Sequence, residues 1–357
     1  MSAGNRGDAA VAAPEPAQDT SEVFRGTADG ETRLTDARSS QGTAPASVPA
    51  FVFGEELADL ADHDARIVVL TADLARANRA VDFAARHPDR FVNLGIAEKN
   101  MITVAAGMGA SGHVAYAATF ASFCALLGAE QIRTDCAYPG VPVRVVGHHS
   151  GMSMGFYGTS HHSLEDLGMM RTIADLTVVC VSDANHLRGV LRASVDHPGA
   201  MYIRLGRGRD PEVYDTVPDI EFGRAIRLRD GADVAIIATG SEVYPSLRAA
   251  ELLASRGIQA RVVDMHTIKP LDVDAVLAAA DECGTIVTVE EANRTGGLGS
   301  AVAEVLADRG RAVPLTRHGV PDEHVLIGPP AALYAHYQLD ATGIEATVLA
   351  TLERALA

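Results

Sequence analysis

Apolar stretches of strand length alternate with longer segments of helical character along most of this chain. Residues 66–71 read Arg-Ile-Val-Val-Leu-Thr, an unbroken apolar run that is typical of a strand buried on both faces of a parallel sheet. Further strands are predicted at residues 143–146, 177–181 and 200–204, and helices at residues 53–60, 100–108, 121–137 and 184–195. This alternation predicts a parallel sheet with helices on both faces.

A second, smaller α/β unit is predicted after a charged segment that contains Pro211 and Pro218. Its elements are strands at residues 234–238, 260–264 and 285–289 and helices at residues 243–256 and 273–280. Two α/β units joined by a polar connection indicate two consecutive domains.

The first 48 residues have a different composition from the rest of the chain. They are dominated by Ala, Gly, Ser, Thr, Pro and Asp and show no sustained apolar period, so they predict a disordered leader. The sequence therefore divides into a leader at 1–48, a first domain at 49–210, a linker at 211–222 and a second domain at 223–357.

Charge and cysteine usage narrow the class of protein. The 357 residues include 46 acids and 30 bases, and the net charge of -16 at pH 7 repels nucleic acid and anionic lipid. No apolar run reaches the roughly 18 to 20 residues that span a bilayer, so no membrane segment is expected. The four cysteines form no Cys-x-x-Cys pair, which indicates a reducing compartment, and we expect a cytoplasmic protein.

Two short segments carry side chains that suit a ligand site as well as a structural role. Glu98 follows a strand-like apolar stretch that starts at Phe91, and it lies near the N-terminus of a predicted helix, where a carboxylate can also simply stabilise the helix terminus. Phe120 and Phe123 lie three residues apart, a spacing that core residues on one helix face share. Neither segment identifies a function alone.

A histidine-rich loop is predicted after the strand at 143–146. His148, His149, His161 and His162 supply four of the 13 histidines of the chain, in a stretch rich in Gly and Ser. The loop should lie at the carboxyl end of the parallel sheet, where α/β proteins bind ligands. A metal cluster is disfavoured because adjacent histidines point their rings apart and no cysteine joins them. Solvated surface histidines are the alternative.

Two glycine-containing segments could bind anions. Arg204 and Arg207 end a predicted strand, and guanidinium groups suit bidentate capture of phosphate or carboxylate, although a charged strand end before a linker is the alternative. Residues 296–300, Gly-Gly-Leu-Gly-Ser, do not follow the Gly-x-Gly-x-x-Gly pattern. They are interpreted as a turn that packs a helix on the sheet.

Taken in order, these segments resemble the carboxy-terminal half of transketolase. Residues 93–101, Asn-Leu-Gly-Ile-Ala-Glu-Lys-Asn-Met, resemble the segment that carries the cofactor glutamate of the family, and residues 119–123 resemble its aromatic pocket. Residues 158–162 resemble its Gly-Pro-Thr-His-Gln loop, and residues 263–272 with 296–300 resemble its C-terminal domain. The resemblance covers residues 49–357 and implies a thiamine diphosphate pyrimidine-binding domain followed by a smaller α/β domain.

One expected motif is missing. In this family a separate domain with a Gly-Asp-Gly motif holds the diphosphate and its Mg²⁺, and no Gly-Asp-Gly occurs in this chain. The resemblance therefore implies the β subunit of a split transketolase. It would depend on an N-terminal, diphosphate-binding partner in an α2β2 assembly and would transfer a ketol unit from a ketose donor to a sugar or aldehyde acceptor. Thiamine diphosphate is the implied cofactor, with Mg²⁺ held mainly by the partner.

The resemblance also implies a role for each site residue. Glu98 would hydrogen-bond N1′ of the aminopyrimidine, and Ile96, Phe120 and Phe123 would contact the cofactor. His161 would contact the ketol end of the donor, so Glu98 and His161 are the predicted catalytic residues. The residues implied to bind substrate are His149, Arg204, His162, Asp73 and Tyr157.

Several positions depart from the family pattern. Ala77 stands in place of a serine, Tyr157 in place of an aspartate and His162 in place of a glutamine, and an arginine usual near the domain start is not evident at Pro49 or Ala50. Loss of groups that hold phosphate weakens phosphosugar binding. We therefore expect a non-phosphorylated or unusual acceptor, as in specialised metabolism.

Three alternatives share parts of this pattern. The β subunit of a 2-oxo acid dehydrogenase has the same two domains and cofactor glutamate, but the histidine-bearing loop favours ketol transfer. A 1-deoxyxylulose-phosphate synthase normally carries both cofactor domains in one chain. A non-catalytic subunit would need none of these polar groups at a ligand cleft.

Overall fold

The strands of this computed structural model form two sheets, and the residues that it describes are 49–207 and 210–356. The predicted leader at 1–48 lies outside the described residues. In chain order the strands are β1 (Ile67–Thr71), β2 (Phe91–Asn93), β3 (Val114–Phe120), β4 (Val143–His148), β5 (Thr177–Cys180), β6 (Met201–Arg204), β7 (Ile226–Arg229), β8 (Val234–Ala238), β9 (Ala260–Asp264), β10 (Thr267–Lys269), β11 (Ile286–Asn293) and β12 (Leu315–Val320).

The helices cover both sheets. In chain order they are α1 (Pro49–Ala61), α2 (Ala80–Arg86), α3 (Glu98–Ala110), α4 (Phe123–Leu127, Gly128–Gln131 and Ile132–Ala137 as consecutive turns), α5 (Asp166–Thr172), α6 (Ala184–Ser194), α7 (Val243–Ser255), α8 (Val273–Cys283), α9 (Leu298–Asp308), α10 (Pro330–His336) and α11 (Ala341–Leu356). The first and last turns of α4 are π-helical.

The first sheet has seven strands in the order β10-β5-β6-β4-β3-β1-β2. All neighbours are parallel except β10, which runs antiparallel to β5 at the sheet edge. The second sheet has five strands in the order β12-β11-β8-β9-β7, and only its edge strand β7 is antiparallel to its neighbour. Largely parallel sheets need helices on both faces because crossover connections run over them.

Strand β1 shows why an unbroken apolar run predicts this arrangement. All five of its residues are buried. Successive side chains point to opposite faces of a strand, so Val68 and Leu70 pack with Met101 of α3, whereas Ile67 and Val69 pack in the core that contains Phe53 of α1. Each face of the strand therefore requires an apolar residue, and the predicted fold class is confirmed.

Two strands of the first sheet were not among those predicted. Strand β3 contains three alanines in seven residues, and alanine is a weak strand former, so the local pattern conceals a fully enclosed strand. Strand β10 is three residues long and lies in the predicted second domain, yet it pairs with β5 of the first sheet. One strand of the predicted second domain is therefore the edge strand of the first sheet.

Candidate active site

The predicted site residues lie where strands of the first sheet end. Thr71, Phe120, His148 and Arg204 are the last residues of β1, β3, β4 and β6, and Glu98 opens α3 after β2. The carboxyl ends of parallel strands meet at one edge, which is where open α/β sheets bind ligands. The fold therefore collects side chains that are far apart in sequence along one edge of the first sheet.

Glu98 is a nearly buried carboxylate without a partner. Its exposed fraction is 8%, and its carboxylate makes no hydrogen bond or ion pair with any residue that the structure describes. Buried polar groups in proteins normally have a hydrogen-bond partner. Ile96, two residues earlier, is 84% exposed, which is unusual for an isoleucine. The turn into α3 thus presents an unused acceptor beside an uncovered apolar side chain.

Phe120 is the hub of a group of aromatic rings that we name the ring cluster: Phe120, Phe123, His148, His149 and His161. The Phe120 centroid lies 5.0 Å from that of His148 and 5.1 Å from that of His149. Phe123 and His161 both lie 5.5 Å from it, and all four contacts are edge-to-face. Such pairs stabilise one another beyond their burial. Strand β3, strand β4, helix α4 and the histidine-rich loop thus build one aromatic wall.

His148 and His149 correct the expectation that adjacent histidines point their rings apart. Their Nδ1 atoms are 2.7 Å apart and their ring centroids 4.8 Å apart. His149 has a φ of 57°, in the left-handed region, which turns its ring back toward His148. His148 was not among the predicted site residues, and its position as the last residue of β4 was the available signal.

Both rings of this pair are held neutral. Complete burial lowers the pKa of His148 well below 6.5. Burial, followed by the positive charge of Arg207, lowers the pKa of His149 to about 4. Since one Nδ1 must donate and the other accept across their 2.7 Å contact, the pair is a neutral hydrogen-bonded unit at physiological pH.

The low pKa of His149 predicts a stability that depends on pH. Unfolded His149 takes up a proton near its ordinary pKa of 6.5, whereas folded His149 resists protonation down to a pKa of about 4, so acidification favours the unfolded chain across this window. When the pH falls from about 7.5 to about 5, the free energy of unfolding should decrease by about 2 kcal/mol more in the wild-type protein than in His149→Asn. Asparagine tolerates the left-handed backbone and does not titrate. Urea unfolding at both pH values measures the difference, and equal losses would contradict the assignment.

His161 faces the ring cluster from the histidine-rich loop. Its ring lies 5.3 Å from that of Phe123 and 4.8 Å from that of Tyr157. Ser160 Oγ lies 2.9 Å from its Nδ1, and Nε2 has no hydrogen-bond partner among the described residues. The contact occupies one ring nitrogen and leaves the other for a ligand. The structure therefore brings His161 and Tyr157 to the site.

Arg204 does not lie on the surface of the cleft. Its side chain is buried, Nε donates to Asp166 Oδ2 at 2.7 Å, and Nη2 donates to the carbonyl oxygens of Ser163 and Glu291 at 3.0 and 2.8 Å. Asp166 raises its pKa despite burial. Most of the guanidinium donors are therefore already used by the protein, unlike those of a free phosphate anchor.

His162 is also separated from the ring cluster. The ring is buried, makes none of the described ring-to-ring contacts, and has a pKa lowered by burial. Consecutive residues at the end of a short helical turn point in different directions, so His161 reaches the cluster and His162 turns inward. Neither of its ring nitrogens has a hydrogen-bond partner among the described residues, and its role in substrate binding stays a prediction.

Asp73 and Arg207 follow strands β1 and β6, which are separated in the first sheet by β4 and β3. Asp73 follows β1, is exposed, and its backbone N–H donates to Asn93 Oδ1 at 3.0 Å. Arg207 follows β6, donates Nη1 to the Ser153 carbonyl at 3.2 Å, and its charge acts on His149. Arg207, rather than Arg204, supplies the positive charge beside the ring cluster.

The glycine segment at 296–300 is not a phosphate cradle. Both carboxylate oxygens of Glu290 accept backbone N–H groups, from Leu298 and Gly299 at 2.8 Å each, at the start of α9. A Cβ on Gly297 would lie 1.9 Å from Glu290 Oε2. The helix N-terminus, which attracts anions, is thus occupied by a carboxylate of the protein itself. The interpretation of this segment as a packing turn agrees with the structure.

The donor set at the cleft suits an aromatic, hydrogen-bonding ligand. Glu98 offers an unused carboxylate, Ile96 an uncovered apolar side chain, and the ring cluster aromatic edges. The described residues contain no group of three or more His, Cys, Asp or Glu side chains placed to hold a metal ion. A flat heterocycle with a protonated ring nitrogen fits this set, and the phosphate or metal end of a larger cofactor finds no ligands at these residues.

Comparison with known proteins decides the family. Residues 50–211 match the pyrimidine binding domain of transketolase, and residues 223–344 match the transketolase C-terminal domain. An apulose-4-phosphate transketolase subunit of Phocaeicola vulgatus is 40% identical over 299 residues, which cover 83% of this chain and 95% of that protein. The chain belongs to the transketolase family.

A second relative and a solved structure support the same family. A 6-deoxy-6-sulfo-D-fructose transketolase subunit of a Clostridium species is 41% identical over 266 residues, 74% of this chain and 82% of that subunit. A solved structure described as a split gene transketolase, inactive beta4 tetramer, is 38% identical, with a TM-score of 0.78 and coverage of 86% of this chain and 97% of that one. The fold and the predicted family of this transketolase chain are confirmed.

The described part of this transketolase contains no helix with the length and apolar character needed to cross a bilayer. Its four cysteines are buried and unpaired. Burial raises the pKa of Cys136 and of Cys180 to about 12, so these thiols stay protonated and unreactive. The cysteines are core residues and do not contribute chemistry to the cleft.

Proposed function

We propose that this chain is the pyrimidine-binding subunit of a split transketolase, which moves a two-carbon ketol unit from a ketose donor to an aldehyde-type acceptor. The observation that carries the proposal is the unpartnered, nearly buried Glu98 carboxylate beside the ring cluster. The oxygens of Glu98 are bonded to no described residue, so they are available to accept a hydrogen bond from a ligand. Family membership and the relatives that are transketolase subunits support the same function.

Thiamine diphosphate is the cofactor that this family implies and that the donor set fits. When bound, it supplies the nucleophilic carbon that adds to the ketose carbonyl. In the proposed site Glu98 accepts a hydrogen bond from N1′ of the pyrimidine and holds a proton at that atom, while Phe120 and Phe123 pack against the ring and Ile96 covers it. His161 donates from Nε2 to the substrate oxygen on which negative charge develops.

The diphosphate and Mg²⁺ are assigned to a partner subunit. The chain has no Gly-Asp-Gly motif, and its described residues offer no cluster of metal ligands. Four large apolar side chains near the start of α3 and along α4 are exposed, an arrangement that marks protein interfaces: Ile96, Leu126, Leu127 and Tyr138. We infer that the diphosphate-binding subunit covers this face, and that two such pairs form an α2β2 enzyme.

The acceptor is proposed to be an aldehyde without a phosphate group. Next to His161 the rim is apolar, with Phe156 and Tyr157 more than half exposed and Ile327 packed against Gly158. Arg204 is buried and Ala77 replaces the family serine. The two subunit relatives are named for different sugars, so membership of the family does not specify the substrate. A strong preference for sugar phosphates over free aldehydes would contradict this assignment.

We also propose a cytoplasmic location. The four cysteines lie in the core as free thiols, which suits a compartment that keeps thiols reduced.

Calorimetry tests the division of the cofactor site. Thiamine diphosphate with Mg²⁺ should bind a mixture of this chain with a diphosphate-binding transketolase subunit, at a native mass near two copies of each chain. The chain alone should show no binding, because it holds only the pyrimidine half of the site. Tight binding by the isolated chain would overturn the split-site proposal. Decarboxylation of a 2-oxo acid by the mixture would identify a dehydrogenase subunit instead.

A further inference from the structure

The loop that carries His161 is closed at its base. We define the His161 loop as residues 151–163. Its two ends form an antiparallel bridge, in which Gly151 N–H donates to the Ser163 carbonyl and Ser163 N–H donates to the Gly151 carbonyl, both at 3.0 Å. Tyr157 lies near the tip. A bridge of two hydrogen bonds fixes where the loop begins and ends, but it does not by itself fix the direction in which the loop points.

Glu291 on β11 holds the first end of the His161 loop. Its Oε1 accepts the Met152 backbone N–H at 2.6 Å and the Tyr334 hydroxyl at 2.6 Å, and its Oε2 accepts the Ser241 hydroxyl at 2.7 Å. The residue is 1% exposed. A Cβ on Gly151 would lie 2.0 Å from its carboxyl carbon, so the loop backbone rests directly on this carboxyl group.

Arg204 binds the second end of the His161 loop, at Ser163. Its guanidinium donates to the carbonyl oxygen of Ser163 at 3.0 Å and, from the same nitrogen, to the backbone carbonyl of Glu291 at 2.8 Å. The buried ion pair with Asp166 fixes the guanidinium in turn. Both ends of the loop are therefore attached to one buried network that spans the two α/β domains.

This network occupies the position where the second sheet would bind a ligand. Strand β8 has β9 on one side and β11 on the other, so the chain reverses its direction of growth between β8 and β11. Ligands of open α/β sheets bind beside the carboxyl ends of the strands at such a point. Here the Ser241 hydroxyl, just after β8, donates to the carboxylate of Glu291 on β11, and Glu291 in turn accepts the Met152 N–H of the His161 loop.

We propose that Glu291 is a positioning residue for ketol transfer. It lies in the ligand crevice of the second domain and fixes the backbone of the His161 loop. The position of the loop in turn determines where His161 lies against Phe120 and Phe123. The effect on ketol transfer rests on the proposed function. The attachment of the loop to Glu291 rests only on the contacts described above. Small errors in the position of a catalytic group reduce rates steeply, which gives the contact a measurable role.

Three variants separate positioning from stability. Glu291→Ala removes both carboxylate oxygens, and with them the acceptor of the Met152 N–H at the loop base. Glu291→Gln keeps them, because an amide oxygen can accept from Met152 and Tyr334 while its NH₂ group donates to Ser241. Glu290→Ala is the matched control, since Glu290 is an equally buried neighbour that bonds two backbone N–H groups of α9 and none of the loop.

The enzyme reconstituted with its diphosphate-binding subunit should show a loss of kcat of roughly 10- to 100-fold for Glu291→Ala. Glu291→Gln should stay within about 3-fold of wild type, as should Glu290→Ala assayed well below its own Tm, because neither displaces the loop. Tyr334→Phe, which removes one donor and keeps the ring, provides a milder test if Glu291→Ala does not fold. It should lower kcat by roughly 2- to 5-fold.

Limited chymotrypsin digestion reports loop position without any reaction. Cleavage after Phe156 or Tyr157, identified by mass spectrometry, should accelerate in Glu291→Ala and not in Glu290→Ala, since only the first frees the loop. Wild-type cleavage rates and wild-type kcat in Glu291→Ala, or equal kcat losses in the two alanine variants, would overturn the proposal. An inactive wild-type complex would count against the proposed function, while the digestion still decides the attachment of the loop.

Discussion

Replacing Glu98 by glutamine is expected to lower kcat of the reconstituted enzyme by roughly 10²- to 10⁴-fold, the range that one positioned acid–base group contributes. Glu98 is 8% exposed and its carboxylate has no partner among the described residues, so its oxygens are available to accept a hydrogen bond from a ligand. An amide keeps the shape of the side chain but cannot hold a proton at N1′. Steady-state assays with a ketose donor, together with the Tm of the variant, measure the effect.

Asp82→Asn is the matched control for this prediction. Asp82 is also an acidic residue in the first turn of a helix, α2, and it lies away from the ring cluster. Both variants should lose about 0.3–1 kcal/mol of stabilisation from the helix terminus, and Asp82→Asn also weakens the exposed ion pair with Arg79. Only Glu98→Gln should lose activity. Similar kcat values for the two variants would show that Glu98 is merely a helix-stabilising carboxylate.

The residues proposed to bind the cofactor could be predicted from the sequence because they are close together along the chain. Glu98 sits at the junction between a short strand and a helix, and Phe120 with Phe123 spans the junction between β3 and α4. Local patterning predicts such junctions, and the backbone there determines where the side chains point. The order of these motifs then identified the family.

The substrate half could not be inferred in the same way. Whether Arg204 points into the cleft depends on Asp166 and on Glu291, residues 38 and 87 positions away that approach it only in the folded chain. A strand-end arginine beside glycines looks the same in sequence whether it binds a phosphate or a buried carboxylate. Its role as an internal clamp is a property of tertiary structure.

The histidine pair illustrates a second limit. In an extended chain, neighbouring side chains point to opposite faces, which is why His148 and His149 were expected to diverge. The left-handed backbone at His149 reverses this geometry, and no residue type other than glycine announces such a conformation reliably. The sequence pattern located the loop, whereas its internal geometry required the structure.

His161→Phe is expected to lower kcat/KM for the ketose donor by roughly 10²- to 10³-fold, a loss typical of removing one donor to a developing oxyanion. Phenylalanine preserves ring packing against Phe120 and Phe123, which lie 5.5 and 5.3 Å away, and removes both ring nitrogens. Cofactor affinity of the reconstituted enzyme, measured by calorimetry, should therefore stay within about 3-fold of wild type, since the ring contacts persist. Kinetics and calorimetry together separate substrate chemistry from cofactor binding.

His336→Phe is the matched control for His161→Phe. His336 also packs against a tyrosine ring, that of Tyr337, at 4.8 Å, the same separation as between His161 and Tyr157, but it lies on α10 outside the ring cluster. Its substitution makes the same chemical change and should leave kcat/KM unaltered. If His161→Phe weakened cofactor binding as much as it weakened kcat/KM, His161 would be a wall of the pyrimidine pocket rather than a donor to substrate. The position of Nε2, without a partner among the described residues, favours the donor role.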